Sequence, residues 1–412
     1  MSKVKLGNHI KSYAGGTPSR GNMDYYRNGT IPWVKSGEVC RKYITSVEEK
    51  ITEEAVQGSS AKWFPENSVL VALYGATAGQ VSITKIKGTS NQAVLSVNGL
   101  DDFDNEYLYY LLTHSTPELL VKVQGSGQPN LSKKIIDELQ VELKELAEQK
   151  KIAEILTSVD KVIELTEIEI EKLKNLKKGM MQDLLTKGIR HTKFKDTPIG
   201  KIPESWECSQ IKDLIKNGFI EKVQDGNHGG AYPRVSDFTE KGIPFVSAKN
   251  LHEHGYVKFN ECPKLPESYL PKLRIGFGKP GDVIFAHNAT VGPTAYVPNS
   301  GQDFIVSTST TLYRSNSEKL DNYYLYASLL SPLFQTQISK VMGQTTRNQV
   351  PITAQKEMYL TVPPLNEQNE INNAVKAILG TLISKEEKLQ KLVSLKKGLM
   401  QDLLTGKVRV KV

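Results

Sequence analysis

Hydrophobic residues recur at steps of three and four along two stretches of this chain. In the first they fall at Leu156, Val159, Ile163, Ile170 and Leu173, with polar Thr166 completing the series. In the second they fall at Val375, Ile378, Leu382, Leu389 and Leu392, with Lys385 at the matching interruption. This spacing lays one apolar seam along a helix, and charged residues fill the other faces. No proline occurs from Leu146 to Lys195. A helix of ~38 residues is ~57 Å long at 1.5 Å per residue, and a lone rod with a bare seam is not stable in water. The pattern predicts two long helices packed on each other, antiparallel about a centre near Thr166 and Lys385. Two separate helices, each lying on its own domain, are the alternative that the pattern leaves open.

The two helices are copies. LKKGMMQDLLT, from Leu176 to Thr186, returns as LKKGLMQDLLT, from Leu395 to Thr405, with ten of eleven positions identical at a displacement of 219. The same displacement aligns Glu148-Gln149 with Glu367-Gln368, and Ile152 with Ile371. Gly179 and Gly398 match inside the helical pattern, where glycine costs ~1 kcal/mol relative to alanine. Close backbone approach, opposite Asn372 and Ala153, is one account of them; plain tolerance is the other. The segments between the helices are rich in Gly, Pro, Ser, Asn and aromatics, with β-type runs such as SVLVALY and DVIFAH. They are related to each other: TIPWVKSGEV matches GIPFVSAKNL, and SVLVALYGATAG matches DVIFAHNATVG. The expected organisation is a first globular domain (1–145), a helix (146–187), a linker (188–204), a second domain (205–362), a second helix (363–405) and a basic tail (406–412). The fold class is α+β, with the helix pair an antiparallel coiled-coil spacer of pseudo-twofold symmetry.

Composition narrows the function. Of 412 residues 39% are hydrophobic and 24% charged, as in a folded soluble protein. The formal charge of +8 favours a polyanionic partner. Three dispersed cysteines, Cys40, Cys208 and Cys262, exclude a disulfide scaffold and a cysteine-type zinc finger. The start lacks an apolar signal segment, and no apolar run approaches the ~18–20 residues of a membrane span, so a cytoplasmic protein without a membrane partner is expected. Catalytic signatures are missing. There is no phosphate-binding GxxxxGK[ST] loop, no GxGxxG, no GxSxG elbow, and no [DN]PP[YF] string of the kind that holds an amino group for methyl transfer. His252 and His254 near Cys262 read as surface residues, so neither a catalytic nor a metal site is expected.

Polar, glycine-containing loops are the positive signal. Arg pairs with guanine edges, Asn and Gln with adenine edges, and Lys, Ser and Thr with phosphates. The first domain offers Ser19, Arg20 and Asn22 in GGTPSRGN, then Lys35, Thr77, Gln128, Asn130 and Lys133. The second offers Asn227, His228 and Arg234 in QDGNHGGAYPR, then Lys249, Asn250, Asn288, Thr290, Gln344, Arg347 and Asn348. Any one of these is compatible with an ordinary turn. Their recurrence at comparable places in both domains predicts two unequal DNA-reading faces.

With these motifs assembled, the sequence resembles the specificity subunit of type I restriction-modification enzymes. The resemblance spans the chain and rests on PLNEQ (Pro364–Gln368), LKKGxMQDLLT at the end of both helices, IGKIPESWE (Ile199–Glu207), and the GGTPSR and IPWVKSGE strings. The first copy departs from it, with LKELAEQ where the family has PLPPLEEQ. It implies a non-catalytic, sequence-specific subunit that reads a bipartite, asymmetric double-stranded DNA target, one half-site per domain. The paired helices would set the spacing and dock two methyltransferase subunits acting on adenine N6, with restriction subunits joining them. S-adenosylmethionine, ATP and Mg²⁺ would then sit on those partners, and this chain would bind no cofactor. A stand-alone bipartite DNA-binding protein and a nuclease with scattered carboxylates are the competing readings.

Overall fold

The computed structural model describes residues 3–123, 130–343 and 348–411. The chain divides into two compact units, Met1–Glu167 with Lys388–Val412, and Ile168–Glu387. The expected boundaries at the ends of the helices are therefore not where the compact units part. The division runs through the middle of both long helices, because the two parts of each helix are buried in different cores. Ile152, Ala153 and Leu156 share a core with Leu108 and Tyr110, whereas Met181 and Leu185 share one with Trp206 and Tyr324.

Besides two-stranded ladders, each unit holds two larger sheets whose shared strands come in the same order from equivalent segments. In the first unit, Ile10–Ala14, Val94–Gly99, Val69–Ala72 and Val81–Thr84 lie side by side, with Tyr43–Ile44 at the edge. The second unit repeats this with Ile220–Gln224, Thr310–Ser315, Val283–Ala286 and Thr294–Tyr296. The partner sheets centre on a parallel pair, Ile31–Val34 with Gly88–Ser90 in one unit and Ile243–Val246 with Phe304–Val306 in the other. A buried helix covers each first sheet, Asn105–Val123 and Asn322–Leu330. Strands such as Val69–Ala72 and Val283–Ala286 are buried at every position, so they read as continuous apolar runs without alternation.

The long helices span Leu146–Leu184 and Leu365–Leu404. In the first unit Lys396 Nζ lies 2.6 Å from Asp160, and Met400 and Leu403 share the core of Leu156 and Ile152. In the second, Lys385 Nζ lies 2.5 Å from Glu169 and Lys174 Nζ 3.3 Å from Glu386, and Val375 and Ile371 share the core of Met181 and Leu185. Within each unit the two helices thus run in opposite directions. Every seam position, including Thr166 and Lys385, is buried or half-buried. Gly179 and Gly398 are exposed, and a Cβ at either would meet nothing within 4 Å. Close backbone approach is therefore not their explanation; the helix simply tolerates them.

The repeated Glu-Gln pair opens both helices and closes both units. Gln149 donates to the carbonyls of Asp102 (2.8 Å) and Lys144 (2.9 Å) and accepts from Asp104 N–H (2.9 Å). Gln368 does the same with Lys319, Pro363 and Asp321 N–H. Both amides are fully buried, so each ties the turn before a domain helix to the start of a long helix. The adjacent glutamates catch departing chain. Glu148 receives the Arg409 guanidinium, at 2.8 Å from Nε and 2.6 Å from Nη2. Glu367 receives Ile189 N–H at 2.9 Å, the buried Trp206 Nε1 at 2.9 Å and His191 Nε2 at 2.8 Å. Gly188 (φ +65°) and Gly406 (φ +74°) make those turns possible, since an L side chain is strained in that left-handed region.

Candidate nucleic-acid interface

Several of the loops singled out in the sequence gather in each unit beside the turn that carries the chain from one sheet to the other. In the first unit the chain after Ile10–Ala14 runs beside the turn after Gly88–Ser90, with Gly15 N–H on Val94 O (3.0 Å) and Gly16 N–H on Ser90 O (2.8 Å). A Cβ on Gly15 would come within 2.1 Å of Ser90 O, so glycine is needed there for close packing. Asn91 N–H bonds Val34 O (3.0 Å), which brings in the loop carrying Lys35, and Thr77 Oγ1 donates to Ser36 O (2.9 Å). Leu131 N–H bonds Leu73 O (2.8 Å), adding the segment of Asn130 and Lys133.

Charge on this face is largely paired. Arg20 lies over the rings of Tyr26 (4.4 Å) and Trp33 (5.0 Å) and forks onto Glu49, with Nη2 at 3.0 Å. That hydrogen bond and the guanidinium charge outweigh burial and hold the Glu49 carboxyl below its ordinary range. Lys35 Nζ is 3.3 Å from Glu48 and 3.7 Å from Glu49, and Lys133 pairs with Asp137. Arg20, a candidate base reader, thus holds an ion pair with Glu49 while its side chain stays exposed, and contact with DNA would exchange that carboxylate for a base edge or a phosphate. Ser19, Asn22 and Asn130 are exposed, Asn22 capping a short turn at Asp24 N–H.

The second unit repeats the convergence around Ser307–Ser309. Ser307 N–H bonds Val246 O (2.8 Å), Ala248 N–H bonds Ser309 Oγ (3.0 Å), His287 N–H bonds Ser309 O (3.0 Å) and Val350 N–H bonds His287 O (2.8 Å). These links gather the loops of Lys249, of Asn288 and Thr290, and of Asn348, whose carbonyl accepts Ala289 N–H at 3.0 Å. His228 rests 2.7 Å from Asp225 with its ring mostly exposed, and Arg234, Lys249, Thr290 and Asn348 are exposed. Two candidates are corrected. Asn227 is buried, donating to Ile275 O (2.6 Å) and accepting from Arg274 N–H (2.7 Å) and Ile275 N–H (3.2 Å). Asn250 is buried as well, accepting from Ser247 N–H (3.0 Å) and Ser247 Oγ (2.8 Å). Both amides are spent on holding the loops and cannot also read a base edge. Gln128, Gln344 and Arg347 lie outside the described residues.

Some participants carried no loop signal. Gln92, bonded to Thr17, and Ser307 and Ser309 sit in the turn between two strands of each unit, a position that the strand pattern alone could have marked. Behind the second face a buried chain links His287, Thr311, Gln355 and Tyr313, with contacts of 2.8, 3.0 and 2.6 Å. Burial lowers the His287 pKa, which disfavours a charged ring in this chain. Cys262 is buried with its thiol pushed up to about 11 by burial, and Sγ donates to Lys258 O, so it does not join His252 and His254.

The model of the type I restriction modification DNA specificity domain matches this chain twice, over residues 1–175 and 203–394. The chain belongs to that family. The MjaVIII specificity subunit of Methanocaldococcus jannaschii is 30% identical over 414 residues, spanning 99% of this chain and 93% of that protein. The EcoR124I/EcoR124II specificity subunit of Escherichia coli is 30% identical over 160 residues, 38% of this chain and 40% of its own length. Among solved structures, the type I S subunit from M. genitalium superposes with a TM-score of 0.60 at 14% identity, covering 98% of this chain and 96% of its own. That likeness bears on the fold, a two-domain arrangement of mixed helix and strand. As a specificity subunit the chain is a DNA-recognition component and not a catalytic one. Among the described residues no helix is long and apolar enough to cross a membrane.

Proposed function

We propose that each unit reads one half of a bipartite, asymmetric DNA target, and that the long helices act as an antiparallel coiled-coil spacer, pseudo-twofold in symmetry, which sets the gap and docks two methyltransferase subunits. The observation that carries this reading is the recurrence, in two units whose shared strands follow one order, of equivalent loops gathering at the equivalent turn while their side chains differ. Repeated scaffold with divergent loops is what two unequal half-sites require. Exposed Lys249, Arg234, Thr290 and Asn348 in one unit, and Ser19, Gln92 and Asn130 in the other, are the side chains positioned for phosphates and base edges. Lys35 and Lys133 reach phosphate by exchanging a protein carboxylate for it. S-adenosylmethionine, ATP and Mg²⁺ belong on the partner subunits, in the cytoplasm where the target DNA lies.

The test is reconstitution with the methyltransferase subunit of the same host, followed by mapping of methylated adenines. Two short motifs at a fixed gap are expected, and exchanging residues 1–145 for those of a relative should change one motif only. A single continuous motif, or both motifs changing together, would overturn the division of labour. The chain alone should neither methylate nor cut DNA with any of the three cofactors. Metal-dependent cleavage lost in a carboxylate variant would favour the nuclease reading.

A further inference from the structure

Away from the reading loops, the second unit carries a tight hairpin, residues 251–257, that projects His252, Glu253 and His254. His252 N–H bonds Tyr256 O (2.9 Å), Gly255 N–H bonds His252 O (2.9 Å), and Tyr296 N–H anchors the turn through Gly255 O (2.9 Å). The His252 ring stacks on Tyr256 at 4.3 Å, and the two imidazole centroids are 4.8 Å apart. Nδ1 of His252 accepts His254 N–H at 3.2 Å, and Nε2 of His254 meets Glu386 of the second long helix. Each imidazole therefore has one nitrogen engaged and one left over. One donor atom from each of His252, Glu253 and His254 lies within 4.8 Å of the other two.

We propose that His252, Glu253 and His254 form a binding site for a divalent transition-metal ion of the zinc class. Donors ~2.1 Å from a tetrahedral ion stand ~3.4 Å apart, so side-chain rotations of roughly 1 Å complete the set. Glu386 fills the place of the carboxylate that orients a ligating histidine through its other nitrogen. Water is left to the fourth position.

The charges around the site decide which ion it takes. Glu253 and Glu386 supply two negative charges. Against them stand Lys174, 3.3 Å from Glu386, then Lys177 and Lys178, which line with Glu253, His254 and Leu382 a cavity of about 410 Å³; Lys258 lies just past the hairpin. These lysines oppose a hard cation that depends on carboxylates alone, such as Mg²⁺. An ion whose affinity comes from imidazole nitrogen withstands them. Bound there, it would tie the hairpin next to the Lys249 loop to the long helix through His254 and Glu386.

Metal-stripped full-length chain, titrated with Zn²⁺ and passed through a desalting column, should retain one equivalent and melt at a higher temperature. Co²⁺ should give the intense visible absorption of a tetrahedral site. The His252→Ala/His254→Ala double variant should lose the retained equivalent, the shift and the colour, and Glu386→Gln should weaken binding about tenfold. His252→Gln, at a half-exposed position, preserves a polar side chain and serves should the double variant unfold. Retention by that variant equal to the parent's, no retained metal in the parent, or an equal shift with Mg²⁺ would overturn the site.

Discussion

Glu148 has a side chain only 3% exposed, yet it stays charged because Arg409 reaches it from the far end of the chain. Burial pushes its pKa up; the Arg409 hydrogen bonds and the Val410 N–H outweigh that and leave the carboxyl below its ordinary range. A folded pKa below the unfolded one means stabilisation that is present above the unfolded value of ~4.3 and fades as pH falls through the folded value. Arg409→Gln should therefore lower the melting temperature at pH 7 and converge on the parent in strong acid; a difference independent of pH would contradict this assignment. On the proposed reading faces, Lys249→Ala should weaken DNA binding across sequences and reduce the slope of log K against log salt by about one. Salt titrations of binding check it, and a selective loss at one base pair would instead make Lys249 a base reader. Candidate residues were legible in the sequence only as loop chemistry. Asn227 and Asn250 show why: an amide suits a base edge and a buried loop equally well, and what separates them is burial, which no local string records.

At the level of the helix, the seam was legible because a period of three and four, sustained over about five turns and repeated in both helices, has few alternative causes. The role of the glycines was not, since a helical glycine looks the same whether it faces a partner or water. Gly398→Ala and Gly179→Ala should each stabilise by about 0.5–1 kcal/mol, as the added methyl meets nothing within 4 Å. Gly188→Ala should destabilise by about 1–2 kcal/mol or more, with φ at +65° and a Cβ that would come 2.5 Å from Glu367 Oε1. Denaturant midpoints of the three variants decide both predictions. The Glu-Gln pair was visible as a repeated string, but its two tasks needed partners that are distant in sequence, such as Asp104 and Arg409. Gln368→Ala strands Asp321 N–H and two carbonyls and should cost about 2–3 kcal/mol.

For the molecule as a whole, the proposed spacer makes a metric prediction. Four residues inserted between Leu156 and Leu173 add roughly one turn, about 6 Å, to the first long helix. DNA rises ~3.4 Å per base pair, so the preferred gap between half-sites should lengthen by about one or two base pairs. The half-site sequences should stay unchanged, since no reading loop is touched. Selection from a randomised-gap DNA library measures both, and altered half-sites at an unaltered gap would refute the spacer. Domain order and duplication were readable from the repeat at 219 residues. The place where the compact units part was not, because it depends on which core each part of a helix enters.

The first unit is assembled from both ends of the polypeptide, with Lys388–Val412 returning to Met1–Glu167. The two segments are separated by some 220 residues, and closing such a loop costs roughly 5 kcal/mol of chain entropy. During synthesis the Met1–Glu167 part therefore cannot be finished until residues 388–412 have been made. The second unit, continuous in sequence, can be complete before then. Nascent-chain proteolysis should find Ile168–Glu387 protected first. A premature stop near Lys388 should accordingly injure the half that was synthesised earliest, leaving the half beside the truncation sound.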